Sequence, residues 1–245
     1  MTTYQKFIQK DVNKIDTIIY AFYEEYKKII NCYDLPTFQI KYLDGREDKN
    51  ICFQVFNMIY DDPITLVFNI DVIDFYSFDF KVLLVHEFTH IYDYHILKQK
   101  YNIDFIRKSY SMYSEYHAVQ IETLYQFNLI KYLSDNIIVK DQRNIINGIL
   151  NEIEIYHTNS KLYNNHKNKT TFVIAVKSYL YASGIISIAN QILNLNIEME
   201  DFFEPYKELM HEAIKLLWSV KYDDIPSKDI LTKIGEINQQ ITYIE

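Results

Sequence analysis

The stretch LLVHEFTHIYDY, residues 83 to 94, places two histidines and a glutamate inside a run that is otherwise almost wholly apolar. Leaving such a polar group unpaired in a core costs roughly 2–7 kcal/mol. Two readings follow: these are core polar groups that have found hydrogen-bond partners, or they are donors to a shared metal ion. Phe80, Val82, Leu83, Leu84, Val85, Phe88 and Ile91 make the segment apolar on nearly every side. The pattern predicts a helix from about 77 to 98 that lies deep in its domain.

Upstream, Tyr4, Ile8, Val12, Ile15, Ile19, Phe22, Tyr26 and Ile29 recur every three or four residues, with Lys, Asp and Glu between them. This predicts an amphipathic helix over 3–31. After Asp34 to Pro36 the period changes to two. Phe38, Ile40 and Tyr42 alternate with polar residues, Ile51 to Met58 is a second β-rich run, and Ile64, Leu66, Phe68 and Ile70 alternate again. Asp44-Gly45 and Asp61-Asp62-Pro63 supply turns between them. A small three-stranded sheet with antiparallel pairs is expected, with no helix inside it.

Downstream the pattern stays helical, with helices expected at 111–133, 140–156, 170–194, 202–221 and 227–242. Asn164 to Lys169 reads as an exposed loop and Asp223 to Pro226 as a turn. The fold class expected is therefore α+β and mainly helical: an N-terminal helix, a small sheet, the 83–94 helix and a helical C-terminal part. Residues 1–135 are expected to form the core, with 136–245 a helical part packed on it.

Composition fits this reading. The chain has 245 residues, enough for a good core, and only four glycines and four prolines, which favours long helices over tight turns. A net charge of −8 argues against nucleic acid as the main partner. The N-terminus lacks a signal-peptide core, and no stretch reaches the ~18 uninterrupted apolar residues of a membrane span. Cys32 and Cys52 are too few for a disulfide framework and lack metal-ligand spacing, so they are expected to be free, buried thiols in a cytoplasmic protein. Heavy use of Ile, Asn, Lys and Tyr fits a low-GC bacterium or its phage.

His86, Glu87 and His90 spell HExxH. On a helix the two imidazoles project side by side, one turn apart, and both can bind one Zn²⁺ while Glu87 reaches a water in the open position. Zinc lowers the pKa of that water towards ~7, and the glutamate accepts its proton. A third ligand is needed. His95 lies about half a turn round the helix from His86 and points away. Asp93 shares the histidine stripe, but its short side chain suits a hydrogen bond to a ligand histidine, and a surface carboxylate with no role is the competing reading. Glu115, in YSMYSEYHAVQIETLY (residues 110–125), is the stronger candidate, early in the next helix, with the small Ala118 one turn on.

Here the chain resembles the gluzincin metallopeptidases, in which HExxH is completed by a glutamate from a following helix, often in an E-x-x-A setting. The resemblance covers about 50 residues. It implies His86 and His90 as zinc ligands, Glu87 as general base and Glu115 as third ligand. The N-E-x-x-x-D subfamily would have aspartate where Val119 stands. The small phage and bacterial ImmA/IrrE-like peptidases share the outline, but QIETLYQFNLIKYL departs from their usual small-residue run. A metzincin would need glycine and histidine where Asp93 and Ile96 stand.

The function expected is zinc-dependent hydrolysis of peptide bonds, with a peptide or protein substrate paired along strand 64–70 and no nucleic-acid or membrane partner. Tyr113, His117, His157 and Tyr179 are oxyanion-donor candidates, none of them preferred. The alternative is a non-catalytic regulatory or protein-binding module, with zinc or without it. Glu87 discriminates the two, because a purely structural site does not require it.

Overall fold

The computed structural model describes residues 3–43, 53–56, 63–69, 77–129, 142–163 and 168–242. Seven helices and three strands are defined among them, so the protein is mainly helical with a small sheet. Two compact units are formed, Met1–His95 and Ile96–Glu245, and the division falls within one continuous helix. The expected boundary at 135/136, the turns at Asp44-Gly45 and Asp61-Asp62 and most of the 164–169 loop lie outside the described residues.

The first unit holds α1 (Thr3–Ile29), β1 (Gln39–Leu43), β2 (Phe53–Phe56), β3 (Thr65–Asn69) and most of α2 (Phe78–Lys100). Helix α1 buries Ile15, Ile19, Phe22 and Tyr26 of the expected stripe, and Tyr23 beside them. Phe88 of α2 is the hub: its ring meets those of Phe22, Tyr23, Tyr26 and Phe38 at centroid distances of 4.7–6.2 Å. Tilted and edge-to-face pairs of this kind contribute about 0.5–1.5 kcal/mol each beyond their burial. The tyrosine hydroxyls at the edge of the cluster find acceptors: Tyr23 donates to Pro36 O at 2.8 Å and Tyr26 to Thr89 Oγ1 at 2.9 Å.

The sheet has the order β1-β3-β2. β2 pairs antiparallel with β3, but β1 pairs parallel with it, Gln39 opposite Thr65 through Leu43 opposite Asn69. The antiparallel expectation holds for one pair and fails for the other. Alternation identifies a strand but carries no information on its neighbour. Leu66, Val67, Phe68 and Asn69 are all buried, and a strand covered on both faces belongs in the middle of a sheet. With a strand on each side, β3 has no edge to offer, so the expected pairing of a substrate with strand 64–70 is ruled out.

The second unit is built on α3 (Ile103–Gln126), with α4 (Gln142–Leu162), α5 (Lys169–Leu193), α6 (Lys207–Trp218) and α7 (Lys228–Thr242). Helix α3 starts eight residues earlier than expected, because Asn102 caps it by accepting from Phe105 N at 2.9 Å, and Ile106, Ser109 and Tyr110 extend its buried stripe upstream. Asn168 caps α5 in the same way, accepting from the amides of Thr170 and Thr171. Segment Thr170–Leu193 of α5 is long and apolar enough to cross a membrane by length and composition, but 72% of its most apolar window is buried inside the protein. Packing within the unit accounts for its hydrophobicity.

Two glycines set how closely neighbours approach α3. A Cβ on Gly184 of α5 would stand 2.9 Å from Tyr116 O, and one on Gly235 of α7 would stand 2.8 Å from Lys108 O. Both obstacles are backbone and cannot rotate away. Gly184→Ala and Gly235→Ala are each expected to destabilise the protein in urea unfolding. Overpacking of about 1–3 kcal/mol outweighs the helix-propensity gain of up to about 1 kcal/mol.

Candidate metal centre

His86 and His90 lie on α2, roughly 160° round the helix from Phe88 at 100° per residue. The aromatic hub therefore takes one side of α2 and the histidines the other. Both imidazoles are buried, with ring centroids 4.8 Å apart and planes at 86°. Glu87 is half-buried. Thr89, between the histidines, is fully buried and donates from Oγ1 to Val85 O at 2.8 Å while accepting from Tyr26.

Asp93 is 2% exposed, which excludes the surface-carboxylate reading. Its charge is felt by the fully buried Tyr26 hydroxyl, whose pKa is pushed well up by burial first, with Asp93 adding to the rise against the lowering bond to Thr89. His95 turns away from the HExxH pair, as its spacing predicts, and its Nε2 lies 3.3 Å from Asp34 Oδ2.

Glu115 stands in the middle of α3, not early in it, because of the upstream start at Ile103. Its side chain is 16% exposed and its carboxylate is held by two groups of α5. Lys177 Nζ donates to Oε1, and Tyr181 OH donates to Oε2 at 2.8 Å. No sequence motif marks either residue. Their i,i+4 spacing puts both on one face of a helix, but nothing in the sequence says which carboxylate that face meets. Ala118 and Val119 are fully buried beside Glu115, and Glu122 is half-buried.

Glu115 also lines a cavity of about 210 Å³ in the second unit, walled by Met112, Phe172, Val176 and Leu180, with Lys177 among its polar groups.

Two groups of side chains could hold a metal ion among the described residues. One is His86, His90 and Glu115, each offering one ligand atom, all within 4.8 Å of one another. Two imidazole nitrogens and a carboxylate oxygen are the donor set of a catalytic zinc with an open fourth position. The other is Cys32, Asp34 and His95.

All four oxyanion-donor candidates have contacts in their own unit. His117 Nε2 is 2.8 Å from Tyr222 O, Tyr179 OH donates to Glu200 O at 2.8 Å, and His157 Nδ1 lies 3.7 Å from Glu200 Oε2. Tyr113 stacks on His117, with centroids 5.5 Å apart. No family model, curated protein or solved structure matches this chain.

His157 is 9% exposed, and among the described residues its buried Nε2 has no hydrogen-bond partner. Burial lowers its pKa below 6.5, the nearby Lys161 adds to the lowering, and Glu200 opposes both. The unfolded chain therefore takes up this proton more readily than the folded one, and stability falls as pH drops below about 6.5 towards the lower folded value. His157→Gln is expected to flatten the decline of Tm between about pH 7 and 5, measured by thermal melts across that range.

Proposed function

We propose that this protein is a zinc-dependent peptidase of the gluzincin type, working in the cytoplasm on a peptide or protein substrate. The observation that carries the reading is the gathering of one ligand atom each from His86, His90 and Glu115 within 4.8 Å. The donor set fits zinc chemically. Buried imidazoles must be neutral or paired, and neutral imidazole is the form that ligates. When bound, zinc would polarise the scissile carbonyl and make a water acidic enough to be deprotonated near neutral pH.

Glu87 sits next to the first ligand on the same helix and is half-buried. It takes the proton of the attacking water and returns it to the leaving amine. Tyr181 and Lys177 fix the Glu115 carboxylate, which lowers the entropy lost when it ligates and aims its oxygens. The apolar cavity beside Glu115 supports a hydrophobic side chain near the cleaved bond, since Phe172, Val176 and Leu180 reward its burial.

Metal analysis and a fluorogenic peptide library test this together. His86→Ala is expected to lower the zinc content by about one per chain. Glu87→Gln is expected to keep that zinc and lose about 10²–10⁴-fold in hydrolysis. Tyr181→Phe should weaken zinc binding at this set about 10–100-fold. A Glu87→Gln protein that retains its full biological effect, where His86→Ala abolishes it, would establish the non-catalytic binding role instead.

A further inference from the structure

We propose that Cys32, Asp34 and His95 form a second, sulfur-containing zinc site that ties the segment after α1 to α2. The three side chains each offer a ligand atom, all within 4.8 Å of one another, and all belong to the first unit. They are of three donor types, thiolate, carboxylate and imidazole, which together select zinc over magnesium or calcium.

The backbone holds the cysteine in place. Asn31 adopts a left-handed conformation (φ 52°) at the end of α1, and the Cys32 amide turns back to donate to Lys27 O at 2.9 Å. Asp34, two residues on, bridges the other two donors. Its Oδ1 accepts from the Cys32 thiol at 3.3 Å, and its Oδ2 lies 3.3 Å from His95 Nε2. His95, 61 residues after Asp34, lies on the side of α2 that the HExxH pair does not use.

Exposure grades across the group. Cys32 is buried, the His95 side chain is 19% exposed and that of Asp34 72% exposed, so an ion reaches the site from solvent and a water completes its shell. Burial and Asp34 push the Cys32 thiol up to about 11, so the free thiol keeps its proton at neutral pH and zinc must displace it. The nearby Lys27 is engaged by Glu24 at 2.7 Å. Closing a loop of this length removes chain entropy from the unfolded state, so the ion acts as a staple. The site is independent of the proposed peptidase chemistry.

Cobalt(II) substitution of the full-length protein tests it, because a thiolate ligand gives a near-ultraviolet charge-transfer band that the sulfur-free His86, His90 and Glu115 set cannot produce. Titration of metal-free protein with Co²⁺ is expected to raise that band, saturating with about one sulfur-bound ion per chain. Cys32→Ser should abolish the band and Cys52→Ser should leave it. His95→Gln should weaken Co²⁺ binding there by at least about tenfold, and circular dichroism should show each variant folded as the parent is. No band in the parent protein, or a band lost with Cys52 and kept without Cys32, overturns the proposal.

Discussion

The first unit depends on how α2 divides its two sides. Phe88 anchors one side in a cluster of four other rings, while His86 and His90 are buried on the side opposite. Aromatic packing there tolerates little rotation, since a turn of the helix that moved Phe88 out of the cluster would leave a cavity lined by Phe22, Tyr23 and Phe38. The apolar hub therefore fixes the azimuth of the imidazoles. Precise placement of a polar pair is bought with hydrophobic contacts made elsewhere on the same helix.

The buried hydroxyls follow the same logic. Tyr26 reaches Thr89, which in turn donates to the backbone of its own helix, so one polar chain crosses from α1 into α2 with each member satisfied. Asp93, one turn beyond Thr89, completes a run of polar groups along α2 at positions 86, 89, 90 and 93. An apolar helix that carries four buried polar residues on adjoining positions is organised around them, and a metal ion is one partner that can satisfy several at once. In the second unit the equivalent constraint is backbone approach. Helix α3 receives α5 and α7 so closely at Gly184 and Gly235 that no side chain fits, and this brings Lys177 and Tyr181 of α5 to Glu115.

Much of this was legible from residue order. The stripes of α1 and α2, the three strands and the ends of α5 and α7 emerged within a few residues, because amphipathic spacing reports which face is buried. The start of α3 did not. IDFIRKSY carries a weak stripe, and the cap at Asn102 is a local hydrogen bond that competes with many other asparagines in this chain. Few glycines suggested few turns, yet Asn31, Asn128, Asn194 and Asn196 take the left-handed positions that glycine usually fills.

Residue order alone sets the chemistry on offer: HExxH on a buried helix, a glutamate one helix later, and strands marked by alternation. Those are local properties, set by side-chain type and by periods of 3.6 and 2. Long-range packing sets the rest: β3 sits between its neighbours with β1 parallel, Lys177 and Tyr181 hold Glu115, and Cys32 and Asp34 lie beside His95. Strand order and side-chain clusters join residues dozens of positions apart. Which of many compatible pairings forms is settled by the packing of the whole unit, and no local pattern records it.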